Sequence, residues 1–194
     1  MSAPFQFAVH RTLYNTPMTA SARLFIGLTP PPAVRQQLAM ARDQAHVQFG
    51  GKPVPADNLH LTLAFLGQTS LSRLDELTRL IDQCGFMAMT LQLAAIGSFS
   101  SAKVVWAGLA ERHIALDALA GRLRRVLQQQ DFSVDAQGFN AHVTLLRKAV
   151  CPAHTITPTI IWRASQLSLY ESRSTPAGVE YHILHRLLSH QMAD

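Results

Sequence analysis

Two imidazoles and two hydroxyls in this chain are spaced for chemistry. His60 and Thr62 lie two apart in Asn58-Leu59-His60-Leu61-Thr62-Leu63-Ala64-Phe65-Leu66-Gly67, and His142 and Thr144 lie two apart in Phe139-Asn140-Ala141-His142-Val143-Thr144-Leu145-Leu146-Arg147. Residues i and i+2 of a strand point to one face. Each stretch therefore offers an imidazole beside a hydroxyl. Leu59, Leu61, Leu63 and Phe65 share the other face of the first strand; Ala141, Val143 and Leu145 share that of the second. Burying imidazoles and hydroxyls without partners is costly, so a solvent-filled cleft with an anionic ligand would satisfy all four groups. Histidine titrates near neutral pH, so one imidazole can take a proton from water while its charged twin gives one to a leaving oxygen. The threonine hydroxyls can hold the non-bridging oxygens of a phosphate between them. This chemistry requires no metal or cofactor, and no His/Asp/Glu cluster has ligand spacing.

The bare pattern is weak. His10-Arg11-Thr12-Leu13 matches it too. That copy is set aside because Arg11 spoils the apolar back face and no helix precedes it. The other two copies sit in apolar strands, each preceded by a helical pattern, and their joint occurrence is the signal.

The elements that must position these strands can be read around them. Arg23 to Leu28 reads as a strand, ended by Thr29-Pro30-Pro31-Pro32. Proline is tolerated in a first helical turn, and Val34, Leu38, Ala41 and Ala45 share one face of a helix from Pro32 to about Val47. The His60 strand follows the loop Gly50 to Asp57 and closes at Gly67. Ser70 or Ser72 can cap a helix with Leu71, Leu74, Leu77 and Ile81 on its inner face, stopped by Gly85. Strands are expected over Met89 to Ile96 and Lys103 to Leu109, linked by a hairpin-like Gly97-Ser98-Phe99-Ser100-Ser101. A third helix covers His113 to Gln130. The His142 strand comes next, then strands over Ala164 to Tyr170 and Val179 to Leu187. A helix precedes a His-x-Thr-Leu strand in each half, which is an internal echo. Two such units packed face to face would set the motifs opposite each other. The fold class is α+β with mostly antiparallel pairing.

The 194 residues are 48% hydrophobic and 15% charged, enough apolar material for a core and too little charge for a disordered chain. No run approaches the ~20 apolar residues that span a bilayer, and Phe5 to Val9 is too short for a signal peptide core. The net charge of +5 favours anionic partners. Cys84 and Cys151 form no C-x-x-C pair, which suits a reducing, cytoplasmic compartment. Residues 1–20 lack a period and read as a poorly ordered extension, with Met18 an alternative start. Residues 21–194 are expected to form a single bilobal domain. A monomer is the simplest expectation, with no membrane partner.

From Arg23 to Leu187 the chain resembles the 2H phosphoesterase superfamily, and within it the bacterial RNA 2',3'-cyclic phosphodiesterases first described as 2'-5' RNA ligases. The residues that carry the resemblance are Arg23-Leu24-Phe25-Ile26, the stretch Asn58 to Gly67, Val104-Val105-Trp106-Ala107-Gly108, and His142-Val143-Thr144-Leu145-Leu146-Arg147. The resemblance implies a two-lobed, pseudo-symmetric fold, with antiparallel sheets lining a central cleft and helices packed outside. It implies hydrolysis of a 2',3'-cyclic phosphate on RNA ends or nucleosides to a 2'-phosphate. By analogy His60 is the proton donor to the 3' oxygen and His142 the acceptor that activates water. Thr62 and Thr144 match phosphate-binding positions, and Arg147 matches an arginine often found after the second motif. The odd offset of Arg147 from His142 puts it on the opposite face of a regular strand, so it reaches the cleft only if the strand bends. Many members have proline where this chain has Ala141, and the leader before Met18 lies outside the family pattern. Alternatives are 2'-5' ligation by the same groups in reverse, or a nucleotide-binding module without turnover.

Overall fold

The computed structural model describes residues 20–135, 138–176 and 178–190. The extension expected at 1–20 falls, but for Ala20, outside them. The strands are β1 (Ser21–Leu28), β2 (Lys52–Pro53), β3 (Leu61–Ser70), β4 (Met89–Phe99), β5 (Val104–Leu109), β6 (His142–Arg147), β7 (His154–Ala164), β8 (Gln166–Thr175) and β9 (Gly178–Leu188). The helices are α1 (Pro32–Phe49), α2 (Leu74–Cys84) and α3 (Ile114–Gln129). All named strands pair antiparallel, in the order β7-β4-β5-β6-β3-β1-β8-β9, with β2 beside β6. This is the α+β, mostly antiparallel architecture expected.

The two halves meet edge to edge rather than face to face. β3 and β6 share one residue pair, Leu61 with Val143, and both side chains are fully buried. Four strands lie on one side of that seam (β3, β1, β8 and β9) and five on the other (β6, β5, β4 and β7, with β2 beside β6). The helices reach across it: α1 packs on β6 and β7, and α3 on β3. The inner face of α1 is the one expected, with Val34, Leu38, Ala41 and Ala45 buried. In α2, Leu77 and Ile81 are buried, and Gly85 ends the helix at φ 45°. Ser70 and Ser72 do not cap it; their hydroxyls bond each other at 2.8 Å, and a single 3-10 turn, Leu71–Arg73, leads in. α3 is capped by His113, whose Nδ1 accepts the Leu116 N–H at 3.2 Å.

Several strands differ from the expectation, β8 among them, which runs to Thr175 rather than ending at Tyr170. β3 runs past Gly67 to Ser70, because Gly67 (φ 63°) sits within the strand beside a slip in its pairing with β1 rather than ending it. β4 runs on through Gly97 and Ser98 to Phe99, which pairs with Val104, so the turn is shorter than expected. β7 was not expected at all. Its Pro158 argues against a strand by removing a donor, yet β7 is an edge strand and its register against β4 slips between Ile160 and Thr155. Edges and slips are where a sheet tolerates proline.

Candidate active site

The seam sets the site. Antiparallel pairing of Leu61 with Val143 puts His60 across from Thr144 and Thr62 across from His142. Leu61 and Val143 point into the core, so their flanking residues point the other way. His60, Thr62, His142 and Thr144 all line one cavity of about 400 Å³, with Arg23, Phe25, Phe65, Arg147, Ser172 and Tyr181 among its other walls. The four groups singled out by their spacing are thus brought together, half from each side of the sheet.

Arg147 joins them through a bulge. β5 pairs Val105 with Leu146 but Trp106 with Thr144, leaving Leu145 as an extra residue. The inserted residue reverses the alternation, so Arg147, at an odd offset, shares the face of Thr144. The first motif carries the same device. β1 pairs Gly27 with Thr62 and Ile26 with Ala64, leaving Leu63 extra. Phe65, expected behind the strand, therefore stands in the cavity, 46% exposed. The bulge falls three residues after the histidine in both halves, and it delivers the fifth residue after it: phenylalanine in one half, arginine in the other.

The histidines are anchored alike. His60 Nδ1 lies 2.7 Å from the Asn58 carbonyl oxygen, and His142 Nδ1 lies 2.7 Å from that of Asn140. A carbonyl only accepts, so each neutral ring carries its proton on Nδ1 and keeps the Nε2 lone pair free for chemistry. His60 Nε2 is 2.8 Å from the Thr62 hydroxyl, which donates to it. The His60 ring is packed by Phe25 at 4.6 Å and, edge-on, by Tyr181 at 5.2 Å. Phe25 stacks in turn on Tyr170 at 4.8 Å, and the Tyr170 hydroxyl is bonded to Thr29 at 2.5 Å. His142 meets the edge of Phe99 at 5.0 Å.

These surroundings depress both imidazoles. Burial pushes His60 down to about 4, the positive charges of His142 and Arg147 add to it, and the Asn58 carbonyl opposes it. Burial also lowers His142, against the pull of the Asn140 carbonyl. Desolvation penalises the charged ring, so both rings are shifted toward the neutral form, and a bound anion would oppose that shift.

Sequence reasoning did not assign three contributors to the site. Arg23 is a second cation in the cavity, facing Ser172 across β1 and β8. Tyr181 comes from a strand far along the chain and left no local signal. Asn58 was visible, because Asn-x-His-x-Thr occurs in both halves. Its side chain donates to the Val179 carbonyl at 2.6 Å and accepts the Tyr181 N–H at 3.2 Å, pinning β9 to the cavity wall. Asn58→Ala leaves both backbone groups without that partner and is expected to lower stability by about 1–3 kcal/mol, measured by urea denaturation. The Arg122 and Arg124 side chains bond the carbonyls of Gly85 and Asp135, so each braces a neighbouring loop. Among the described residues, no group of three or more His, Cys, Asp or Glu side chains is placed to hold a metal ion, and no helix is long and apolar enough to cross a membrane.

The chain as a whole is similar to known proteins. Residues 28–106 match the family model described as LigT like Phosphoesterase. The RNA 2',3'-cyclic phosphodiesterase of Escherichia coli is 32% identical over 171 residues, covering 87% of this chain and 97% of that protein. The RNA 2',3'-cyclic phosphodiesterase of Thermus thermophilus is 27% identical over 84% of this chain and 88% of its own length. The crystal structure of E. coli LigT complexed with 3'-AMP superposes with a TM-score of 0.82 at 30% identity, over 89% of this chain and all of that one. The chain belongs to the LigT-like phosphoesterase family, within the 2H superfamily.

Proposed function

We propose that this enzyme hydrolyses 2',3'-cyclic phosphates on RNA ends or nucleosides to 2'-phosphates, with the two His-x-Thr pairs as its machinery. The observation that carries the reading is the convergence of His60, Thr62, His142 and Thr144 on one cavity across a single residue pair. The E. coli relative is named an RNA 2',3'-cyclic phosphodiesterase, and a crystal structure of E. coli LigT complexed with 3'-AMP supports a nucleotide ligand.

In the substrate complex Thr62 and Thr144 donate to the non-bridging oxygens, with Arg147 and Arg23 as cations beside them. The Thr62 hydroxyl, which otherwise donates to His60, turns to the phosphate and frees Nε2. His142 takes a proton from water as it attacks phosphorus, and the bond to the 3' oxygen breaks as His60 protonates that oxygen. The product leaves with its phosphate on the 2' oxygen.

One observation favours exchanging the two roles. Burial pushes His60 down to about 4, a large depression that makes it the poorer candidate for the acid. His60 serves as acid only if the bound anion draws a proton to it. A cyclic phosphate with sulfur in place of the 3' oxygen separates the readings, since a thiolate leaves without a proton. The alanine variant of the acid regains activity on it, and the variant of the base does not.

The pH profile follows from the same depressions. At low pH both imidazoles are charged and no base remains; at high pH both are neutral and no acid remains. The free enzyme therefore has a bell-shaped kcat/KM with an acid limb near 4 and an optimum below the ordinary histidine value of 6.5. A bound phosphate anion favours the charged rings, so the kcat optimum lies at higher pH. An initial-rate series across pH measures both, and a kcat/KM optimum above 6.5 would count against the buried, neutral pair.

A further inference from the structure

We infer that Lys52, together with Arg147, holds a second phosphate, the backbone phosphodiester next to the reacting end, so that an oligonucleotide end is bound better than a mononucleotide. This rests on the diesterase reading above and adds the substrate's length to it.

A second cavity of about 510 Å³ adjoins the catalytic one and shares Val54, Asn58, Arg147, Val179 and Tyr181 with it. Lys52 lines only the second, while Arg147 lines both. A chain whose terminal phosphate lies between the imidazoles can thus continue past Arg147 without leaving a groove.

The charges in that groove are unequal. Of its acids, Asp57 is taken by Arg35 at 2.9 Å, and Glu180 faces His182 at 3.6 Å. Lys52 and Arg147 have no carboxylate partner among the described residues. They are also direct antiparallel neighbours, Lys52 opposite Arg147. Like charges placed directly opposite destabilise a sheet, and an anion bridging them removes that cost.

The backbone enforces the pair. Gly51 sits at φ 80°, and a Cβ there would lie 2.6 Å from the Ala149 Cβ and 2.7 Å from the Arg147 carbonyl oxygen. Only glycine allows the chain to press this closely on the end of β6. The next residue, Lys52, is thereby held in register with Arg147.

The test compares hydrolysis of adenosine 2',3'-cyclic phosphate with that of a short oligoadenylate ending in the same cyclic phosphate. In wild type the oligonucleotide has the higher kcat/KM, and that advantage falls with salt. Lys52→Ala is expected to lower the ratio of oligonucleotide to mononucleotide kcat/KM about three- to tenfold. The slope of log kcat/KM against log salt for the oligonucleotide flattens by about 0.7, the value for one single-strand phosphate contact. Lys52→Arg restores the ratio. An unchanged ratio, or equal losses on both substrates, would overturn the subsite while leaving the diesterase reading intact. Wild-type enzyme that turns over neither substrate would overturn both.

Discussion

Replacing either His60 or His142 by alanine is expected to lower kcat by about 10²–10⁴. The two losses should not multiply in the double variant, because acid and base act on one transition state and each is of little use without the other. KM should change far less, since Thr62, Thr144 and the arginines still hold the phosphate. Steady-state rates on adenosine 2',3'-cyclic phosphate measure this, and wild-type rates in both variants would remove the mechanism. His60→Ala has a second signature. The unfolded chain takes a proton at about 6.5, while the folded one resists until about 4. The stability associated with neutral His60 is therefore present above 6.5 and lost as pH falls toward 4. The alanine variant should denature with less dependence on pH across that window.

Gly27→Ala is expected to damage fold and site together. Gly27 is buried in β1 opposite Thr62, and an added Cβ would lie 2.7 Å from the Leu61 carbonyl oxygen and 3.3 Å from His60 Cδ2. The carbonyl is backbone in a paired strand and cannot swing aside. Overpacking of this kind costs about 1–3 kcal/mol. The forced shift falls on His60 and on Leu61, the residue that meets Val143. A displacement near 1 Å in a catalytic group can cost about 10²-fold in rate. Thermal denaturation and kcat measured on the same preparation should both fall. An alanine variant with wild-type kcat would mean that the imidazole position tolerates movement of its strand.

The local part of this structure was legible in the sequence. Alternating polar and apolar residues marked both motif strands, and the 3.6 spacing of Val34, Leu38, Ala41 and Ala45 marked the buried face of α1. What escaped was whatever depends on pairing. A bulge is a relation between two strands, so Leu63 and Leu145 carry no signal of their own; strict alternation put Phe65 on the wrong face and left Arg147 in the cleft only on condition that its strand bends. β7 was hidden by a proline that its edge position makes harmless. Tyr181 reaches His60 only because Asn58 ties down β9, a contact between residues remote in sequence. The repeated Asn-x-His was in plain view, but the use shared by both copies lies in a backbone carbonyl, which any residue type supplies; only the Asn58 side chain adds a tie to β9.

β1 pairs with β8 on one side and β3 on the other, and Ser172, Val179 and Tyr181 form part of the catalytic cavity. On a ribosome, both histidines emerge before any of these three residues exists. A nascent chain that has just released β6 has both histidines but lacks the wall behind them, and the first strand waits with one edge unpaired. Activity should therefore switch on late and abruptly, when the last hairpin closes against β1.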